Sequence, residues 1–171
     1  MAVKGLSQTS ETIVIGFSVD ESAANTFTQG QVDLQLNPLD NEVFVVTGIN
    51  LDPFIPSAIA GTDTRVKSSL TTTSRTTLPS LADSACLATS VNFIAAAGFV
   101  DGGVGFQQSS FDTPPAMVDY LGIIATNDFF IQVEGTANAV AKGVSGKLYG
   151  YRAKASAATY AALVQSEVLS S

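Results

Sequence analysis

The feature that most constrains the fold is a series of short β-branched stretches separated by turn residues. The longest, residues 42–52, is EVFVVTGINLD, and its nearly continuous apolar run predicts a strand buried on both faces. Apolar and polar residues alternate within residues 26–36, which predicts a half-buried strand. The turn residues of NPLDN separate the two stretches, so the sequence predicts a hairpin over residues 31–50.

Further strands are predicted along the rest of the chain. Residues 11–19 are β-branched and alternating, as in a strand. Residues 64–78 are rich in threonine and carry cations that would blunt an open sheet edge, so they predict an exposed or edge strand. Residues 128–134 and 144–154 flank a loop with glycine at both ends, which predicts a second hairpin.

Two helices are predicted in addition. Residues 80–97 place small and apolar side chains at helical spacing before Gly98, which predicts an internal helix. Residues 157–168 are alanine-rich and follow Ser156, a good N-cap, which predicts a C-terminal helix. Strands joined by Gly, Pro and Asn turns predict a mainly β chain. We expect one antiparallel β-sandwich or barrel domain over residues 1–171, with these two helices.

The chain is poor in charge for its length. Only 13% of its 171 residues are charged, against roughly 25% in an average soluble domain, while 46% are hydrophobic. We therefore expect part of the apolar surface to face other subunits. The net charge is −7 and there are only 8 Lys and Arg residues, which argues against a specific nucleic-acid binder because phosphate binding needs clustered cations.

The residue inventory excludes the common catalytic sites. Without histidine, neither a Ser-His-Asp nor a Cys-His arrangement is possible. The single cysteine, Cys86, cannot form an intrachain disulfide, and one cysteine without histidine does not make an ordinary zinc site. Alanine and leucine surround Cys86, which predicts a buried thiol. No GxxxxGK[ST] phosphate loop is present. We expect no enzymatic activity, no cofactor and no metal ion.

Targeting signals are also missing from the sequence. The N-terminal residues carry one lysine, then polar residues, then a short and broken apolar run, which does not fit a signal peptide. No stretch approaches the roughly 18–20 apolar residues of a membrane span. We expect a protein that is made in the cytoplasm and is soluble, or that is exported only within a larger assembly. The sequence makes no prediction about membrane contact.

Half of the chain's eight cations lie within residues 142–154, around the segment GKLYGYRAK. In a strand, Tyr149 and Tyr151 share one face. Tyrosine is favoured in sheets and joins apolar cores to wet surfaces, but it also stacks on nucleic-acid bases. Three roles therefore stay open for this segment: packing within the predicted hairpin, contact with another subunit, and binding of a nucleic acid or another ligand.

Arg152 belongs to the same segment. In a strand it shares a face with Gly146 and Gly150, where another backbone or side chain can approach closely. We expect its guanidinium to pair with a carboxylate, for instance that of Glu134 or Asp128, and not to bind phosphate.

The loop PFIPSAIAGTD holds three large apolar residues, Phe54, Ile55 and Ile59, which need cover from this chain or from a neighbour. They join the aromatic residues and the arginine described above as candidates for contact between subunits. The candidates are Phe54, Ile55, Ile59, Tyr149, Tyr151, Arg152 and Tyr160.

The predicted C-terminal helix is short enough to be marginal in water on its own, so it must dock to be stable. Tyr160, Leu163 and Val164 form its apolar face. We expect this face to pack on a sheet or on a neighbouring subunit, and we expect Gln165 and Ser166 to be exposed.

Three blocks of the sequence resemble uncharacterised structural proteins from viral genomes and metagenomes of seawater. They are NPLDNEVFVVTGINLD, DYLGIIATNDFFIQVEG and VSGKLYGYRAKASAATYAALVQSEV, and together they extend over most of the chain. In size and number of strands the chain is also similar to the single β-barrel coat proteins of tailless icosahedral viruses. That likeness implies a jelly roll, a place in the virion and no active site. It includes no functional motif, so it assigns no site residues.

Three hypotheses about function follow. The first is a self-assembling structural subunit, namely a viral capsid protein whose partners are copies of itself and other virion proteins. The second is another assembly subunit, such as a tail-tube, decoration or surface-filament protein. The third is a small-molecule-binding β-barrel or an enzyme. Sedimentation and negative-stain images distinguish the three, because shells, tubes and monomers differ in size and shape.

Overall fold

A computed structural model describes residues 4–99, 105–109 and 118–169 of the chain. These residues form ten β-strands and one α-helix. In chain order they are β1 (Leu6–Gln8), β2 (Ile13–Asp20), β3 (Thr28–Asp33), β4 (Glu42–Pro53), β5 (Thr64–Thr71), β6 (Cys86–Ala95), β7 (Phe106–Ser109), β8 (Gly122–Ile124), β9 (Asp128–Thr136), β10 (Gly143–Ala155) and α1 (Ala157–Leu169). A 3-10 turn, Pro38–Asp40, precedes β4.

The strands form two five-stranded antiparallel sheets. In sheet 1 the order is β1-β10-β4-β8, and β2 pairs with β10 on the same side as β1. In sheet 2 the order is β3-β9-β5-β6-β7. The predicted mainly β, antiparallel sandwich with a C-terminal helix is confirmed.

The strand pairing is nested. When β1 and β7 are left aside, the first of the eight remaining strands pairs with the last, β2 with β10. The next pairs inward are β3 with β9, β4 with β8, and β5 with β6. Two further pairings, β4 with β10 and β5 with β9, join these hairpin-like pairs into the two sheets. This is a jelly-roll-like arrangement.

Both predicted hairpins are wrong. The segment expected to pair with β4 is β3, but β3 lies in sheet 2 and pairs with β9, whereas β4 lies in sheet 1. The other expected pair, β9 and β10, is also divided between the two sheets. In a nested arrangement a short connection carries the chain from one sheet to the other, so a turn between two strands does not make them neighbours.

The predicted internal helix over residues 80–97 is also wrong. Residues Cys86–Ala95 form strand β6, and the buried side chains follow a period of two, at Cys86, Ala88, Ser90 and Asn92. Val91 and Phe93 alternate with them on the other face. These β-branched and aromatic residues favour a strand, and pairing with β5 outweighs the high helix propensity of alanine.

Strand β5 was expected at an exposed edge, but it is central in sheet 2. Two of its buried polar residues are satisfied by the side chain of Gln132 on the neighbouring strand β9. Ser69 Oγ donates a hydrogen bond to Gln132 Oε1 (2.7 Å), and Gln132 Nε2 donates to Thr71 Oγ1 (2.7 Å). The thiol of Cys86 is buried, as predicted.

The main core lies between the two sheets. From sheet 1, the buried side chains include Phe44 and Leu148, and from sheet 2 they include Leu70 and Phe129. The rings of Phe17 and Phe129 meet edge to face, with centroids 5.9 Å apart. Each fully buried side chain of this size contributes roughly 1.5–3 kcal/mol to folding.

Helix α1 covers part of the outer face of sheet 1. Its residues Tyr160, Leu163 and Val164 pack on a second cluster that includes Val43 and Val45 of β4. Strand β4 is therefore buried on both faces at this end, as its apolar run predicted. The predicted docking face of the helix is confirmed, and so are two predicted exposed residues, Gln165 and Ser166. The Ser156 hydroxyl caps the helix by accepting a hydrogen bond from Thr159 N (3.3 Å).

Candidate functional site

Three loops meet at one end of the sandwich. They are residues 21–27 after β2, residues 54–63 after β4 and residues 137–142 before β10, and we call them the three-loop end. The backbone joins them directly, since Glu21 N donates to Lys142 O (2.8 Å) and Phe54 N donates to Gly143 O (2.8 Å). These hydrogen bonds therefore hold the three loops against one another at the ends of the long strands β4 and β10.

A buried carboxylate fixes the first and third loops. The side chain of Glu21 accepts hydrogen bonds from Gly135 N (2.6 Å), Lys142 N (2.8 Å) and Thr26 N (3.1 Å). Buried charges are tolerated when several donors surround them, and three backbone N–H groups meet that condition here.

A buried amide joins the second loop to the other two. Asn138 Oδ1 accepts from Ser57 N (2.9 Å), and Asn138 Nδ2 donates to Arg65 O (2.9 Å). The backbone of Asn138 is bound on both sides by the side chain of Asn25, at 2.8 Å and 2.9 Å. Sequence reasoning missed Glu21, Asn25 and Asn138, because a polar residue in a turn gives no sign of whether it is buried.

The anchored loops present apolar side chains to solvent. The exposed fractions are 48% for Phe54, 62% for Ile55 and 58% for Val140. Ile59, the third candidate of this loop, is half-buried instead. Because the backbone beneath the three exposed residues is already fixed, covering them would require little further ordering of the chain.

The other predicted subunit-contact residues do not lie at the three-loop end. Tyr151 and Tyr160 lie in the cluster between sheet 1 and helix α1, so they are packing residues of this chain. Tyr149 is half-buried on β10, beside Gly48 of β4.

Arg152 lies near the 3-10 turn, at the other end of β4 and β10. Its Nη1 lies 3.3 Å from the Glu42 carboxylate. Nη1 also donates to Gln35 O (3.1 Å), and Nη2 donates to Leu34 O (2.9 Å). The predicted carboxylate partner exists, but it is Glu42 on the neighbouring strand and not Glu134 or Asp128. Both of those acids lie on β9, in the other sheet.

Helix α1 carries a buried acid that sequence reasoning also missed. The carboxylate of Glu167 accepts hydrogen bonds from Ala125 N (2.8 Å) and Thr126 N (2.9 Å), at the end of β8. Burial raises the pKa of the Glu167 carboxyl above its usual range and is the largest influence on it. The two backbone N–H donors oppose this shift, and the charge of Asp128 adds to it.

A cleft of about 280 Å³ lies next to this anchor. Helix α1, the segment before β4 and the loop between β8 and β9 form its walls. It is lined by Leu36, Pro38, Ala125, Thr126, Asn127, Tyr160 and Val164.

Within the parts of the chain that the structure describes, no three His, Cys, Asp or Glu side chains cluster closely enough to hold a metal ion. In the same residues, no helix has both the length and the apolar character needed to cross a membrane. Comparison of the chain with protein families, curated proteins and solved structures gives no match.

Proposed function

We propose that this protein is a structural subunit that assembles with copies of itself, and that the assembly is the shell of a virion. The observation that carries the proposal is the apolar surface of Phe54, Ile55 and Val140 on hydrogen-bonded loops at the three-loop end. Covering apolar side chains that share one loop end removes apolar area from water, and a fixed backbone keeps the ordering cost of that contact low.

Two broader features support the same proposal. The charge content of 13% leaves few groups that would oppose close packing of subunits. A jelly-roll-like sandwich is the fold of many viral coat proteins, but it is also the fold of lectins and cupins. The virion assignment therefore rests on analogy of fold and on the sequence resemblance, while self-assembly rests on the surface itself.

Self-association is tested by measuring particle size for three versions of the full chain. Analytical ultracentrifugation and negative-stain microscopy of the unmodified protein should show particles larger than a monomer at micromolar concentration in physiological salt. The double variant Phe54→Ser/Ile55→Ser should shift the distribution to small species, because it removes the apolar surface.

The matched control is Leu81→Ser. Leu81 is as exposed as Ile55, at 61%, but it lies in the segment between β5 and β6. It should assemble like the unmodified protein. A strictly monomeric unmodified protein, or equal loss of assembly in both variants, would contradict the proposal. The shape of the particles separates a closed shell from the alternative of a tube or filament subunit.

A further inference from the structure

A second apolar feature lies at the opposite end of β4 from the three-loop end. The two ends of this 12-residue strand are roughly 35 Å apart at the usual rise per residue. Here Leu39, at the tip of the 3-10 turn, is 92% exposed, more than any other large apolar residue that the structure describes.

The turn that carries Leu39 is held by hydrogen bonds. Asn37 Oδ1 accepts from Leu39 N (3.1 Å), and Asn37 Nδ2 donates to Asp40 Oδ2 (2.6 Å). Asn41, with φ of 52°, ends the turn by donating from its N–H to Pro38 O (3.2 Å). The leucine is therefore presented by a fixed backbone, which lowers the entropy lost when a partner covers it.

The acceptor for such a side chain lies directly beside it. Pro38, the residue before Leu39, forms one wall of the cleft of about 280 Å³ described above. Leu36, Tyr160 and Val164 make other walls of the cleft apolar. Leu39 itself does not line the cleft and points to solvent, so the cleft can accept the leucine of a second copy.

We propose that this surface is a two-fold contact between two copies of the chain, in which Leu39 of each copy enters the cleft of the other. In a two-fold contact every interaction occurs twice, so the surface must carry both the inserting group and its acceptor. The turn that carries Leu39 and the cleft lie next to each other, so a two-fold axis that passes between them brings each leucine to the cleft of the other copy.

The charged side chains around the turn would also be complementary across such a two-fold contact. Asp40 and Lys154 lie beside Leu39, 3.5 Å apart, and both side chains are more than half exposed. A two-fold axis near the turn brings the two pairs together, so that the acid of one copy can face the base of the other. The occupant of the cleft is thus a second copy of this chain.

This contact is separate from the proposed contact at the three-loop end, so an experiment can rule out either one without the other. A closed two-fold contact by itself stops at a dimer, whereas a shell needs at least one further contact. In the background Phe54→Ser/Ile55→Ser, which removes the apolar surface of the three-loop end, the full chain should therefore sediment as a dimer.

Two further changes in this background test the geometry. Leu39→Ser removes the inserting group and should raise the dimer Kd by roughly 100-fold or more, since the burial of two leucines is lost per dimer. Val164→Phe fills the cleft and should have the same effect. Thr126→Phe fills it from the loop after β8 and replaces Val164→Phe if that variant does not fold.

Mixing the two variants gives the decisive measurement. A mixed dimer keeps one intact contact, with the leucine of the Val164→Phe chain in the open cleft of the Leu39→Ser chain. Each variant alone should be monomeric, and the mixture should form dimers. A background protein that stays monomeric at high micromolar concentration overturns the proposal, as does a Leu39→Ser chain that dimerises with the same Kd as the background protein. A mixture without dimers also overturns it, because Leu39 would then contact something other than the cleft.

Discussion

The side chain of Glu167, near the end of helix α1, accepts a hydrogen bond of 2.8 Å from the backbone N–H of Ala125 at the end of β8. The last turn of the helix is thereby joined to sheet 1 by a carboxylate as well as by apolar packing. A negative charge near the C-terminus of a helix is unfavourable, and burial adds a desolvation penalty. Both costs fall on the charged form of Glu167.

The first prediction concerns the pH dependence of stability. Because the folded chain raises the pKa of Glu167, its contribution to stability is complete below the unfolded pKa, roughly pH 4, and is lost as the pH rises through the raised value. The free energy of unfolding of the unmodified protein, relative to Glu167→Gln, should therefore fall as the pH rises from about 4 through the raised pKa of Glu167. Chemical denaturation at several pH values measures this difference.

The control for that experiment is Glu11→Gln, which removes one exposed negative charge between β1 and β2. If the difference between the unmodified protein and Glu167→Gln does not change with pH, burial of the charged form is not what limits docking of the helix.

The second prediction concerns Arg152. Its guanidinium binds two backbone carbonyls and the Glu42 carboxylate, so Arg152→Ala removes one hydrogen-bond donor from each of three acceptors. The free energy of unfolding should fall by about 1–3 kcal/mol. Arg152→Lys should recover only part of the loss, because a lysine cannot reproduce the forked geometry.

Lys154→Ala is the matched control for Arg152→Ala. Lys154 lies two residues further along β10, and its pair with Asp40 is exposed, so the expected loss is below about 1 kcal/mol. Equal losses in the two variants would show that the backbone contacts of Arg152 add nothing. Strong, salt-sensitive binding of nucleic acid that disappears in Arg152→Ala would instead contradict the structural role.

The third prediction uses two glycines of neighbouring strands. A Cβ atom at Gly150 of β10 would overlap the carbonyl oxygen of Val45 and the ring of Phe44, whereas one at Gly16 of β2 would meet nothing within 4 Å. Gly150→Ala should therefore lower the free energy of unfolding by about 3 kcal/mol, since a strand backbone cannot easily move aside. Gly16→Ala should change it by less than about 0.5 kcal/mol or stabilise the protein slightly. Similar melting curves for the two variants would contradict the close approach at Gly150.

The close approach at Gly150 is one of the features that the sequence could predict. Local rules identified the strand around Gly150, the close approach at that residue, the two-sided burial of β4 and the capped C-terminal helix. Each of these depends on residues close together in the chain, so propensity, periodicity and capping were sufficient.

Pairing and side-chain partners could not be predicted in the same way. In the nested arrangement the partner of β2 is β10, more than 100 residues away, and no local signal identifies it. Sequence reasoning therefore places the acid for Arg152 on β9, although β4 is the neighbour of β10 that carries it. The three-loop end was missed for the same reason, since Glu21 and Asn138 come together only after both sheets have formed.

The last prediction concerns helix α1 as a whole. A chain that ends at Ser156 loses the helix and exposes the outer faces of Val43 and Val45, which are fully buried in the intact protein. A helix of this length is marginal in water and owes its stability to docking, and the sheet in turn depends on the cover. We expect the truncated chain to be unfolded or aggregated, as measured by circular dichroism and sedimentation.

Two point variants test docking of the helix without shortening the chain. Leu163→Ser should lower the free energy of unfolding by about 2 kcal/mol, whereas Gln165→Ser, on the exposed face, should have little effect. A truncated chain that folds and assembles like the full protein would show that the helix is a dispensable tail.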